Sequence, residues 1–315
     1  MPEQTRPNQA HFFADLDQTP IDAVDSVDES AAPASLWTDA WRALRRRPLF
    51  WASAALIALV LAVAIFPGIF TSLDPRSCDL KRGLEAPGSG HIFGFDRQGC
   101  DIYARTIYGA RASVETGVLT TIAVVLIGAV VGAFAGFYGG WFDSLLSRIT
   151  DIFFAIPLVL AAIVVMQVFK NNRNVITVVI VLGVFGWPQL ARITRGAVMS
   201  VKNEDYITAA KALGSSRLMT LARHVMPNSA APIIVTATVS LGIFIVAEAT
   251  LSFLGIGLPP EITSWGADIS KAQASLRSQP SVLFYPAGAL ALTVLSFIMM
   301  GDVVRDALDP KARKR

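Results

Sequence analysis

Long unbroken apolar runs alternate with short charged stretches along this chain, and that rhythm sets the first expectation. Runs of roughly 20 apolar residues match a hydrocarbon core about 30 Å thick. Such runs stand near residues 50–66, 114–137, 152–169, 175–197, 230–254 and 284–304. At about 1.5 Å of rise per residue, each can cross the core with modest tilt. The fold class expected is all-α integral membrane, with about six transmembrane helices.

Charge then orients the bundle. Arg42, Arg45, Arg46 and Arg47 precede the first run, and Lys311, Arg313, Lys314 and Arg315 follow the last. Cations collect on the cytoplasmic side, and an even number of spans brings the chain back to where it began, so both termini are expected in the cytoplasm. Residues 1–35 hold seven acidic side chains against the lone Arg6, with little apolar patterning, and are expected to form a disordered acidic cytoplasmic tail. Trp37, Trp41 and Leu44 recur at helical spacing within 36–49, which predicts a short interfacial helix, the plain alternative being a frayed helix start. The first apolar run begins too far into the chain for a cleaved leader. The rest divides into 50–110, a first span with an external loop; 111–306, the main transmembrane domain with a cytoplasmic loop at 192–228; and 307–315, a basic cytoplasmic tail.

Composition narrows the chemistry. An apolar share of 53% against 16% charged residues does not suit a soluble enzyme. A net charge of +3, with no basic stripe interleaved with aromatics, leaves no case for nucleic-acid binding. Two cysteines and three scattered histidines make no metal-ligand spacing. Cys78 and Cys100 both fall in the external loop, where the redox setting permits a disulfide worth about 3 kcal/mol; the alternative is two unpaired thiols. No Gly-x-Ser-x-Gly, no His-Glu-x-x-His and no paired intramembrane carboxylates are present, which argues against an intramembrane hydrolase.

Three features inside the membrane region stand out. Glu248 interrupts the fifth run, and an ionisable group there either faces a cavity or is hydrogen-bonded between helices. Gly128, Gly132 and Gly136 recur every four residues, which lets a second helix approach closely, from this chain or from a partner. Residues 255–283, with Pro259, Pro260, Trp265 and Gly266, predict turns rather than helix, either a tight loop over a pathway or a simple connector.

The loop at 192–228 is too well patterned for a linker. Asn203 is a candidate N-cap, with Glu204 and Asp205 in the first turn, where the helix dipole favours negative charge. Tyr206, Ala209, Ala210 and Leu213 then fall on one face, and Gly214 stands where a left-handed residue would end the helix. Ser215 or Ser216 can cap a second helix whose stripe is Leu218, Leu221, Ala222 and Val225, with Pro227 breaking the pattern. The pair either lies against its own bundle or presents a small-residue face to a partner.

The wording of that loop resembles a known motif. Tyr206-Ile207-Thr208-Ala209-Ala210-Lys211-Ala212-Leu213-Gly214, followed by His224-Val225-Met226-Pro227-Asn228, is similar to the EAA loop of binding-protein-dependent ABC importer permeases. The spacings to the glycine and the proline are kept, while Thr208 stands at the usual glutamate position. Gly94-Phe95-Asp96-Arg97-Gln98-Gly99-Cys100-Asp101, running on to Ile107-Tyr108-Gly109-Ala110-Arg111-Ala112-Ser113, resembles the C-type permeases of dipeptide, oligopeptide and nickel importers, with Cys100 where an arginine is common. Glu248-Ala249-Thr250-Leu251-Ser252-Phe253-Leu254-Gly255-Ile256-Gly257, Ser264-Trp265-Gly266 and the C-terminal Gly301-Asp302 with Arg305-Asp306-Ala307-Leu308-Asp309-Pro310 are similar to the same family.

The resemblance implies a type I ABC importer permease fold and a multi-pass subunit of the bacterial plasma (inner) membrane. It implies four kinds of partner: a homologous second permease, two ATP-binding cassette subunits, an external substrate-binding protein, and a peptide cargo. ATPase coupling would fall to Tyr206, Ala209, Ala210, Lys211, Leu213, Gly214 and Pro227. The chain itself lacks a Gly-x-x-x-x-Gly-Lys-Ser/Thr loop, so ATP and Mg would be bound by the partner ATPases, and no enzyme activity or cofactor is expected in this chain. A nickel-complex permease is the alternative within the family. A stand-alone secondary transporter fits less well, because no paired broken helices are legible in matching halves.

Overall fold

The computed structural model describes residues 36–308, so the expectations for 1–35 and for the Lys311 to Arg315 cluster lie outside the described residues. Ten helices carry the architecture among the described residues. α1 (Leu36–Leu44) precedes α2 (Pro48–Ile65), and the long α3 (Ile102–Tyr138) comes after a long loop. α4 (Gly140–Ala155) and α5 (Leu158–Val168) follow, then α6 (Val175–Val201) and the short α7 (Asp205–Ala212). α8 (Ala230–Phe253), α9 (Trp265–Ala272) and α10 (Ser281–Leu308) complete the set. Five of these, α2, α3, α6, α8 and α10, are each long and apolar enough to cross a membrane, and the bent pair α4–α5 makes a sixth candidate.

One ion pair fixes the parity of crossings. Arg47, just before α2, sits 2.6 Å from Asp306 near the end of α10. The start of the first span and the end of the last therefore lie on one side, which requires an even number of crossings. Counting α4–α5 as one gives six.

The third apolar run, expected as a straight span over 152–169, is broken. Its two helices meet at 83°, and Ile156 at the corner is extended, φ −104° and ψ 117°. The cause is local: Pro157 offers no N–H, and its ring drives the preceding residue out of helical space. The second span also departs from expectation, because α3 starts at Ile102, well before 114, and runs through the division at 110/111. Asp101 caps it, its carboxylate accepting from Ala104 N at 2.7 Å. Arg105, Thr106 and Arg111 lowered the hydropathy of this stretch without ending the helix. At the N-terminal side the expected 36–49 helix stops at Leu44, and Pro48 occupies the first turn of a new one.

The glycine spacing in α3 is answered within this chain. A Cβ on Gly128 would meet Leu190 and Ala191, one on Gly132 would strike the Ala191 carbonyl and Thr194, and one on Gly136 would meet Arg195 and Val198. α3 and α6 are thus parallel and backbone-close, and Lys202 Nζ, just past α6, donates to Gly136 O at 2.6 Å. Apolar side chains from α3, α5, α6 and α8 fill the main core, Met166, Leu182, Leu190 and Leu251 among them.

The end of the bundle that carries the loop between α2 and α3 is a folded layer. Cys78 and Cys100 are joined by a disulfide across 22 residues of sequence. Beside it, Asp79 N donates to Gly99 O at 3.0 Å. Gly99 has φ +76°, and any Cβ there would collide with the Asp79 carbonyl. The 255–283 segment, expected as turns, contains α9, capped by the Ser264 hydroxyl. Trp265 is buried, its Nε1 donating to Thr106 O at 2.8 Å, while Arg105 Nε donates to Asp268 Oδ1 at 2.9 Å and Ser270 Oγ to Phe253 O at 2.7 Å. These bonds clamp α9 over the outer ends of α3 and α8.

Candidate coupling corner and membrane-embedded polar groups

The residue that anchors α7 is Ile207, which lies off the apolar face expected for this helix. Ile207 is fully buried in a cluster with Ala133, Val198, Leu221 and Val225. Its phase is the signal that could have found it, since it lies on the side of the helix turned away from Leu213. The N-cap is Glu204, extended and without a side-chain cap bond, in place of Asn203; the Asn203 amide donates back to Met199 O at 3.1 Å. Asn203 closes the previous helix, so it does not open the next.

The C-terminal end is built by backbone. Gly214 has φ +88°, its N–H bonds Lys211 O at 3.0 Å, and Ser215 N bonds Ala210 O at 3.1 Å. This pair of bonds satisfies the last helical carbonyls and needs a left-handed residue at the corner, which glycine adopts without a Cβ penalty. Ser216 then accepts from Met219 N at 3.3 Å and opens the second helix. That helix widens to a π turn at Leu221–Val225 and continues through Met226–Asn228, so Pro227 sits in a helical turn rather than breaking the pattern.

The corner is left uncovered. Leu213 is 89% exposed and Tyr206 47%, with Leu218 and Met219 also more than half exposed. Ala209, Lys211, Gly214 and Pro227 are exposed, and Ala210 is half-buried. Burial and the nearby Glu204 carboxylate push the Tyr206 phenol above its usual range. Lys211 Nζ lies 5.8 Å from the Phe137 ring, at the inner end of α3. The corner thus carries an exposed apolar and small-residue patch, held from behind by Ile207.

Glu248 lies inside the bundle. It is fully buried in α8, with Ser252 Oγ donating to its Oε1 at 2.7 Å, and Ser252 Oγ in turn accepting from Leu258 N at 3.2 Å. Trp265 N donates to Ser113 Oγ at 3.3 Å close by. Helical phase turns Glu248 toward α3 and the segment after α8, so it packs the outer end of the bundle. Asp151 pairs with Arg192 at 3.0 Å, and Asp143 pairs with Arg195 through two bonds.

Six candidate crossings, a buried polar fastening at one end and an uncovered corner at the other define a multi-pass helical membrane protein. Comparison with known proteins narrows this class. Residues 128–314 match the family described as binding-protein-dependent transport system inner membrane component, and residues 35–87 match the N-terminal TM domain of oligopeptide transport permease C. The chain is similar to the oligopeptide transport system permease protein OppC of Bacillus subtilis (strain 168), 38% identical over 292 residues, 93% of this chain and 95% of that one. It is also similar to the glutathione transport system permease protein GsiD of Escherichia coli O6:K15:H31, 37% identical over 278 residues, 88% and 91% of the two chains. The chain belongs to the binding-protein-dependent transport system inner membrane components, as an ABC importer permease of the oligopeptide and glutathione branch.

Proposed function

We propose that this chain is one of two permease halves of an ATP-driven peptide importer, and that its corner at Gly214 seats in a groove on an ATPase subunit. The uncovered patch of Tyr206, Ala209, Ala210, Leu213 and Gly214 carries this reading. Four apolar or small side chains around one turn are unfavourable in water, and close approach of a partner's backbone is possible only where the side chains are short. Ile207 couples the patch to α3 and α6, so force applied at the corner reaches the spans. ATP and Mg belong to the ATPase, an external binding protein delivers cargo, and a second permease completes the pathway. The arginines before α2 support a cytoplasmic side for both ends of the bundle and for the corner, since Arg47 pairs with Asp306. Peptide cargo is supported by the relatives, an oligopeptide and a glutathione transport permease.

The test uses the assembled transporter in membranes. Ala210→Glu places a charge in the docking face without touching the buried anchor. Normal insertion with at least tenfold lower peptide uptake and loss of ATPase co-purification is expected. Wild-type uptake by this variant would overturn the docking assignment.

A further inference from the structure

The bend between α4 and α5 poses a solvation problem that lipid cannot answer. Phe154, Ala155, Ile156 and Pro157 are all exposed, and the backbone there is unwound. Pro157 provides no side-chain cap, so the first N–H groups of α5 lack intrahelical partners. Unwound backbone at membrane depth is tolerated only where it is covered by protein or lines a water-filled cavity. Depth is set by the neighbours. A cavity of about 220 Å³ at the bend is lined by Phe154, Ile156, Pro157, Gln189, Ser240 and Phe244. Gln189 lies at the middle of α6, and Ser240 and Phe244 at the middle of α8.

Polar groups converge on the same face. Gln189 is exposed in mid-helix, where a primary amide facing hydrocarbon would forfeit its hydrogen bonds. One turn further, Arg192 stacks on the Phe154 ring at 4.0 Å and pairs with Asp151, both charged side chains being about half exposed. A half-exposed ion pair, a free amide and an open backbone on one face call for water. The outward sides of α5, at Leu160, Val164 and Val168, are by contrast purely apolar and exposed, as lipid contact requires.

We propose that the bend at 155–157 together with Gln189 and the Arg192–Asp151 pair forms this chain's wall of the aqueous translocation pathway, where water and the polar main chain of a passing peptide take the place of the missing hydrogen-bond partners. The proposal rests on the importer reading. Phe153, Phe154 and Phe244 give the wall an apolar lining that tolerates varied side chains, while the amide and the open backbone serve the main chain common to all peptides.

The chain suits a thiol-labelling test, because both native cysteines are joined in the external disulfide and contribute no free thiol. Gln189→Cys and Ala155→Cys would be compared with Val164→Cys in membranes carrying the full transporter, using a charged, membrane-impermeant sulfonated maleimide. Labelling of both wall positions at least tenfold faster than Val164→Cys, in the nucleotide-free or the vanadate-trapped state, is expected. Rates no faster than Val164→Cys in both states would overturn the proposal. Should one variant fail to insert, the other decides. Co-purification of the ATPase is measured on the same samples: its absence would count against the importer reading alone, whereas inert thiols in a complete complex would count against the wall alone.

Discussion

Arg105 Nε lies 2.9 Å from Asp268 Oδ1, and the contact joins the first turn of α3 to α9 across 163 residues of chain. Both side chains are buried, and Arg105 also donates to Pro75 O at 3.3 Å, so three segments meet at one guanidinium. Removing one partner of a buried pair is costly because it strands the other charge.

Asp268→Ala should therefore destabilise the outer layer by about 3–5 kcal/mol, since it leaves Arg105 uncompensated. The double variant Arg105→Met/Asp268→Leu should recover most of that loss. Thermal unfolding of the detergent-purified complex reads both, and equal melting points for the single and double variants would contradict the assignment.

The α3–α6 contact makes a second prediction. Gly132→Val presses a branched side chain against the Ala191 carbonyl and Thr194, a backbone contact that cannot rotate away. Overpacking of this kind costs on the order of 1–3 kcal/mol or more. Gly196→Ala, with open space around the added methyl, is the control and should leave the yield of monodisperse protein unchanged.

Anchor and docking face should separate experimentally. Ile207→Ala removes a buried side chain and should cost about 2–5 kcal/mol locally, seen as faster hydrogen exchange at the amides of α7. Leu213→Ala, at a position 89% exposed, should change stability by no more than about 0.5 kcal/mol while weakening ATPase association. Accelerated exchange in Leu213→Ala would show that its side chain supports the fold.

The external loop offers a fourth test. Replacing Cys78 and Cys100 together by serine removes a cross-link across 22 residues, worth about 3 kcal/mol in loop entropy. Limited proteolysis from the external side should then cut within 79–99 at least tenfold faster, with the spans intact. Unchanged cutting would mean that the Gly94 and Gly99 turns hold the layer unaided.

Much of this architecture was legible as hydropathy. The spans, their even number and the Gly214 corner follow from apolar run length and from the one residue type suited to a positive φ. What was not legible was set by partners distant in sequence. Arg105 and Arg111 read as loop because their charge lowers hydropathy, yet Arg105 meets Asp268 and Arg111 donates to Ala64 O and Ile65 O at the end of α2. α9 read as turn because Pro259, Pro260 and Gly266 dominate its surroundings, whereas Ser264 caps it and Trp265 buries it. Pro157 was a local signal overlooked: its effect on Ile156 is a sequence rule, and it divides a run that hydropathy alone treats as continuous. Gln189 drew no attention because one amide hardly alters the mean over 175–197, and its meaning emerges only beside the unwound backbone of its neighbour.

α3 contains no proline and stays helical from Ile102 to Tyr138, some 55 Å at about 1.5 Å per residue. Its Ile102 end is fastened to the α9 cap and its Tyr138 end to Lys202, twelve residues before the Gly214 corner. A rod of that length, pinned near both tips, would carry any tilt of its Tyr138 tip to the α9 cap at the opposite face of the bundle.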